Sequence, residues 1–142
     1  MHLDKQVIVE VVAAVIERAG PEGSLILIGQ RKPRGRHGLK WEFPGGKVEP
    51  GEESRAALVR ELREELGIEA QIGVEIERYD FSYVPGKLTR LKFYAVTEFA
   101  GEPANLDFAQ IAWVRREKLP EYDFLEGDLE FVHKLAAEIG EE

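Results

Sequence analysis

The chain has 142 residues, of which 44% are hydrophobic and 32% charged, with 27 acidic against 19 basic side chains and a formal net charge of -8. That length supports one hydrophobic core, so residues 1–142 are read as a single domain, and the apolar content excludes a disordered chain. The acid excess argues against binding a nucleic acid polymer or an anionic membrane, and the absence of cysteine excludes disulfides, thiolate nucleophiles and cysteine zinc sites.

In chain order, the β-branched run Val7–Ile16 predicts a buried strand. Glu10 interrupts it and no cleavage-site pattern follows, so no signal peptide is expected. No stretch approaches the roughly 20 apolar residues of a membrane span, and a cytoplasmic location is the expectation. Gly20-Pro21-Glu22-Gly23 is a turn, with a second strand over Ser24–Gln30. From Arg31 to Lys40 five cations (Arg31, Lys32, Arg34, Arg36, Lys40) sit in a loop punctuated by Pro33, Gly35 and Gly38. A glycine- and proline-rich loop is predicted over Trp41–Gly51, then a helix from about Ser54 to Leu66 closed by Gly67 as its C-terminal cap. Ala70–Val84 and Lys87–Phe99 read as two strands joined at Pro85-Gly86. Ile111–Val114 reads as a short strand and Leu129–Ile139 as a closing helix. Helices and strands mix without strict alternation, which gives an α/β (α+β) sandwich.

Glu61, Glu64 and Glu65 stand at i, i+3 and i+4 on one face of the predicted helix, beside the packing stripe Leu58, Leu62 and Leu66. Like charges at this spacing destabilise a solvated helix by ~0.2–0.5 kcal/mol per pair, and a hard divalent cation such as Mg²⁺ or Mn²⁺ removes the repulsion. Taken alone, the cluster reads first as a solvated acidic face paired with Arg60 and Arg63.

Its context is specific. Gly46 is followed after five residues by Glu52, and after seven more by Arg60-Glu61-Leu62-Arg63-Glu64-Glu65-Leu66-Gly67-Ile68. This resembles the Nudix box, G-x5-E-x7-R-E-U-x-E-E-x-G-U with U aliphatic, with all nine specified positions filled over 23 residues. Gly45 and Gly46 leave room for a metal or phosphate against the backbone. Glu52 is placed to pin the loop to the helix through Arg60, a structural role for both. Trp41-Glu-Phe-Pro-Gly-Gly-Lys47 is similar to the MutT-like branch, which includes bacterial 8-oxo-dGTP and CTP pyrophosphohydrolases.

The resemblance implies the Nudix fold, a mixed β-sheet sandwiched between α-helices, and cleavage of a nucleoside triphosphate to monophosphate and pyrophosphate. It implies Mg²⁺ (with Mn²⁺ as a substitute) on Glu61, Glu64, Glu65 and the Gly45 carbonyl. Asp107, six residues before Trp113, matches a further carboxylate of the branch, against the alternative of a plain loop aspartate. Arg31, ten residues before Trp41, matches a substrate-contacting arginine, and Lys47 is a further phosphate contact. The other loop cations are as well explained as solubilising charge. Asp128 matches the group that reads the base edge, with capping of the last helix as the alternative. Phe81 and Tyr83 are candidates for stacking on a base or for core packing. His2, His37 and His133 show no ligand spacing and receive no role.

The expected mechanism is water attack on phosphorus, with a box glutamate or Asp107 as general base and no covalent intermediate. The partner is a small nucleotide, with both 8-oxo-dGTP-like and CTP/dCTP-like bases open. ADP-ribose or dinucleoside polyphosphates are alternative substrates, and a non-catalytic nucleotide-binding module is the alternative to an enzyme. No unpartnered amphipathic stripe remains, which favours a monomer.

Overall fold

A computed structural model describes residues 6–138. Its organising element is β1 (Val7–Gly20), a strand long enough to serve several partners. Its first ten residues run parallel to β7 (Lys87–Val96). On its other edge Val11–Ala13 pair with β4 (Gly45–Lys47), and Glu17–Gly20 pair with β2 (Gly23–Gln30). β2 in turn carries β3 (Trp41–Glu42) and β9 (Gln110–Arg115), while β6 (Glu75–Val84) lies antiparallel to β7. The sheet order is β3-β2-β1-β7-β6, with β5 (Glu69–Gln71) and β8 (Glu98–Ala100) forming a separate two-stranded ribbon.

Because successive side chains leave opposite faces of a strand, the continuous apolar run of β1 feeds two cores. Val12, Ala14 and Ile16 pack with Leu27, Tyr94 and Val96 under Ala57, Leu58, Leu62 and Leu66 of α1 (Ser54–Leu66). Ala13 and Val15 pack with Phe43 and Phe93 under Phe131, Val132 and Leu135 of α2 (Leu129–Ala137). The mixed sheet between helices implied by the resemblance is therefore the observed architecture. α1 starts at Glu53, whose side chain accepts from the Ala56 amide, and ends at Gly67 in the left-handed region (φ 71°), whose amide donates to the Arg63 carbonyl.

Several expected boundaries are corrected. The first strand runs on from Ile16 to Gly20, because its polar end pairs across the hairpin and Glu17 and Arg18 meet Arg116 and Glu102. The expected loop Trp41–Gly51 contains β3 and β4, which borrow pairing partners from β2 and β1. The expected strand Ala70–Val84 divides into β5 and β6 on either side of residues 72–74, where the Gly73 amide donates to the Ala95 carbonyl and the Val74 carbonyl accepts the Ala95 amide. Its partner Lys87–Phe99 divides into β7 and β8 at Thr97. Two 3-10 helices, Arg116–Glu121 and Glu126–Asp128, were not foreseen. The closing helix is described to Ala137, and the expected end at Ile139 lies outside the described residues. Among the described residues no helix is long and apolar enough to cross a membrane.

Phe93 is fully buried and stacks on Phe131 with ring centroids 4.1 Å apart, joining the sheet to α2. Phe93→Ala is expected to destabilise the fold by about 3–5 kcal/mol, read as a lower urea midpoint with an unchanged denaturant slope.

Candidate active site

A cavity of about 560 Å³ opens between β1, β4, the start of β7, the loop of residues 31–40 and the segment 125–128. One group of lining residues comes from the C-terminal half of α1 and its surroundings: Glu61, Glu65, Gly45, Gly46, Lys47, Glu42 and Asp107. A second group, Tyr83, Lys87, Thr89, Leu125 and Asp128, comes from the β6–β7 hairpin and the segment before α2. Arg31, Lys32, Arg34 and His37 of the cationic loop line it as well.

The glycines explain how the acidic group is assembled, and they correct the expected reason for them. A Cβ at Gly45 (φ 157°) would stand 2.0 Å from the Val12 carbonyl oxygen, so glycine lets β4 lie against β1. A Cβ at Gly46 would stand 2.4 Å from Glu61 Cδ, so the room at this glycine is filled by the Glu61 carboxyl rather than left for a ligand. Gly45 also donates its amide to Glu65 Oε1 at 3.1 Å. Arg60 faces both ways: its guanidinium donates to both Glu52 oxygens at 2.8 and 3.0 Å, to Glu61 at 3.1 Å and to the Lys47 carbonyl at 3.2 Å. One cation thereby ties the loop before α1 to β4 and to a cavity carboxylate. This pairing holds the Glu52 carboxyl down at about 2.

The cavity carboxyls respond in the opposite sense. Burial pushes Glu65 up to about 9, helped by Glu42 and Glu61 and opposed by the Gly45 amide. Glu61 is raised by burial against the pull of Arg60. Glu42 is raised by burial although Arg31 pairs with it at 3.1 Å, and Asp107 and Glu61 push it further. Asp128, 5% exposed, is raised well above its ordinary value by burial and then by Glu42. Glu42 thus acts on both lining groups.

Glu64, also expected in the cluster, points outward with its side chain 59% exposed and pairs with Arg60 at 3.5 Å. Among the described residues no three His, Cys, Asp or Glu side chains are assembled as a metal-holding group. Glu61 is turned to Arg60, and Glu65 to the Gly45 amide. The donor chemistry nonetheless fits a hard divalent cation, because several carboxyls share one cavity where burial, and after it their mutual repulsion, favours protonation.

Asp128 makes no side-chain cap bond to α2, so the capping alternative is not what the structure shows. Phe81 packs against the α2-side core, whereas Tyr83 lines the cavity and accepts the Gly127 amide at 2.9 Å. Two residues without an assigned role belong here. Glu42 sits between the buried Trp41 and Phe43, and strand alternation sends it to the opposite face, which is the signal that was available. His37 packs edge-on against Tyr83 with centroids 4.8 Å apart, a contact invisible in sequence. The loop carrying His37 closes on itself: the Arg31 amide donates to the Lys40 carbonyl and the Leu39 amide to the Arg31 carbonyl.

A family model described as the NUDIX domain matches residues 9–135. The chain is 39% identical to a CTP pyrophosphohydrolase of Escherichia coli strain K12, over 91% of this chain and 92% of that one. It is 36% identical to an 8-oxo-dGTP diphosphatase of Haemophilus influenzae, over 96% of both. Among solved structures, that of the E. coli ORF135 protein superposes with a TM-score of 0.83 at 36% identity, covering 96% of this chain and 94% of that one.

Two predictions follow from the packing around β4. Gly45→Ala, which meets rigid backbone, is expected to cost about 2 kcal/mol or more, while Gly46→Ala, which displaces only the end of the Glu61 side chain, costs under about 1 kcal/mol; urea midpoints separate them. The second concerns acid. With the Glu52 carboxyl at about 2 against an ordinary 4.5, its contribution is fully present above the ordinary value and is lost as pH falls toward about 2. The stability gap between wild type and Glu52→Gln should therefore be constant above about pH 5.5 and close on acidification. A gap that persists to the lowest pH measured refutes the assignment.

Proposed function

The chain belongs to the Nudix family of hydrolases, which act on phosphoric anhydride bonds, and on that premise we propose that it is a Mg²⁺-dependent nucleoside triphosphate pyrophosphohydrolase of nucleotide-pool sanitation. The reaction is nucleoside triphosphate plus water to nucleoside monophosphate plus pyrophosphate. What carries the reading is one cavity that combines box carboxylates beside Gly45–Gly46–Lys47 with a buried Asp128 beside Tyr83.

The polyphosphate is received by cations at the cavity wall. Arg31, Lys32, Arg34 and Lys47 offset its charge in a protein that is otherwise anionic. Glu61, Glu65 and the Gly45 carbonyl, with Glu64 released from Arg60 and turned in, are the groups that would hold Mg²⁺, which would supply charge neutralisation on the triphosphate and on the leaving pyrophosphate. Among the cavity carboxyls, Asp107 or a box glutamate takes the proton of the attacking water. Arg60 is a positioning residue, since it fixes Glu61 and β4 from outside the cavity.

At the base end, burial and then the neighbouring Glu42 favour the neutral form of Asp128, and in that form the carboxyl offers one donor and one acceptor. The N1–H and O6 of a guanine, and the amino group and N3 of a cytosine, each present the complementary pair. Both substrate classes named for the relatives, 8-oxo-dGTP and CTP, match this chemistry.

The reading is tested by turnover of 8-oxo-dGTP, dGTP, CTP, 5-methyl-dCTP, ADP-ribose and a dinucleoside polyphosphate, with products resolved by chromatography. A monophosphate and pyrophosphate should form only with Mg²⁺ or Mn²⁺, and Glu64→Gln and Glu65→Gln should each lower kcat/KM about a hundredfold or more. Cleavage of ADP-ribose alone moves the protein to another substrate class, and binding without turnover makes it a nucleotide-binding module.

A further inference from the structure

The hydroxyls of two tyrosines grip opposite sides of one residue. Tyr79 donates to the Gly127 carbonyl at 2.7 Å, and the Gly127 amide donates to the Tyr83 hydroxyl at 2.9 Å. The Gly127 carbonyl belongs to the rigid peptide unit that leads into Asp128, so holding it fixes the direction from which the Asp128 side chain departs. Gly127 is not among the glycines with positive φ, so its backbone conformation does not demand glycine. Close approach does: a Cβ there would lie 2.3 Å from the Tyr83 hydroxyl.

The Asp128 carboxyl is buried and makes no cap bond to the start of α2, so its direction follows from its backbone, which the Gly127 peptide and an amide bond to the Leu125 carbonyl at 3.0 Å hold. The clamp itself is braced. The Tyr83 ring lies between Phe81 and His37, edge-on to both with centroids 4.8 Å apart, so the cationic loop bears on it from one side. Tyr79 packs on Phe93 at 5.8 Å, which roots the other half in the core.

We infer that Tyr79 and Tyr83 form a positioning clamp on Gly127 that sets the aim of Asp128 and thereby the base selectivity of the enzyme. The inference rests on the reading of Asp128 as the base-recognising group. Neither tyrosine needs to touch the reacting phosphorus, so loss of a hydroxyl acts on recognition and not on the chemical step.

The test is kcat and KM for 8-oxo-dGTP, dGTP and CTP in wild type, Tyr79→Phe, Tyr83→Phe, Asp128→Asn and the tyrosine variants combined with Asp128→Asn. Each single phenylalanine variant should raise KM for the favoured nucleotide about five- to tenfold and narrow the kcat/KM ratio between bases, with kcat within about twofold. On the Asp128→Asn background the same changes should add no further loss of selectivity, because the clamp acts through that side chain. If the phenylalanine variants unfold, Gly127→Ala, which keeps both hydroxyls and forces Tyr83 away, takes their place in the comparison. Tyrosine variants that keep the base ratio and lose only thermal stability overturn the clamp while leaving the reading of Asp128 intact. If Asp128→Asn keeps the base ratio, or no triphosphate turns over, that reading falls and the clamp falls with it.

Discussion

The burial of several carboxyls in one cavity is the constraint around which this structure is arranged. Glu42, Glu61, Glu65 and Asp107 face one cavity, and burial pushes three of them toward their neutral forms. Removing such groups from water is costly unless each finds a donor or a cation. The surrounding structure supplies these one by one: Arg31 to Glu42, Arg60 to Glu61, and the Gly45 amide to Glu65. The glycine pair of β4 and the long edge of β1 serve the same end, because without them neither Glu61 nor Glu65 reaches its position. The compensation is incomplete, and the donor set that remains is of the kind a hard divalent cation suits.

The arrangement separates two tasks within one space. On the proposed reading, the carboxyls positioned by α1 and β4 serve the anhydride, and Asp128, carried by the 3-10 helix that leads into α2, serves the base. Glu42 communicates with both, since its charge raises Glu65 on one side and Asp128 on the other. On the same reading, a change at Glu42 would alter base recognition and metal affinity together. Its neighbours Trp41 and Phe43 bury the strand that holds it, and the Trp41 backbone bonds to residues 123 and 125 of the segment that presents Asp128.

Local patterns made much of this legible. The helical spacing of Leu58, Leu62 and Leu66 placed α1, Gly67 marked its end, and the fixed spacing from Gly46 to Ile68 named the family that the comparisons identify. The mixed sheet between helices was legible through the same resemblance. Wherever a long-range contact decides the outcome, the sequence alone was insufficient. β3 and β4 are too short to show a period and exist because β2 and β1 pair with them. The break around Gly73 goes with backbone bonds to Ala95, 22 positions away. The roles of His37, Gly127 and Tyr79 arise only when the cationic loop, β6 and the segment before α2 meet. The expected glutamate cluster is divided for a similar reason: three residues on one helix face meet different surroundings, so Glu65 is buried while Glu64 faces solvent.

The closure of the cationic loop at its own base has a consequence for variation. Because Arg31 and Leu39–Lys40 hydrogen-bond to one another across its neck, β2 and β3 are held in register whatever lies between. Around His37, which packs on Tyr83, the other residues between 32 and 38 are a place where length and charge can vary while the neck holds the sheet, and Lys32 and Arg34 among them form part of the cavity rim. One scaffold could in this way be retuned among ligands of different charge by altering loop residues other than His37.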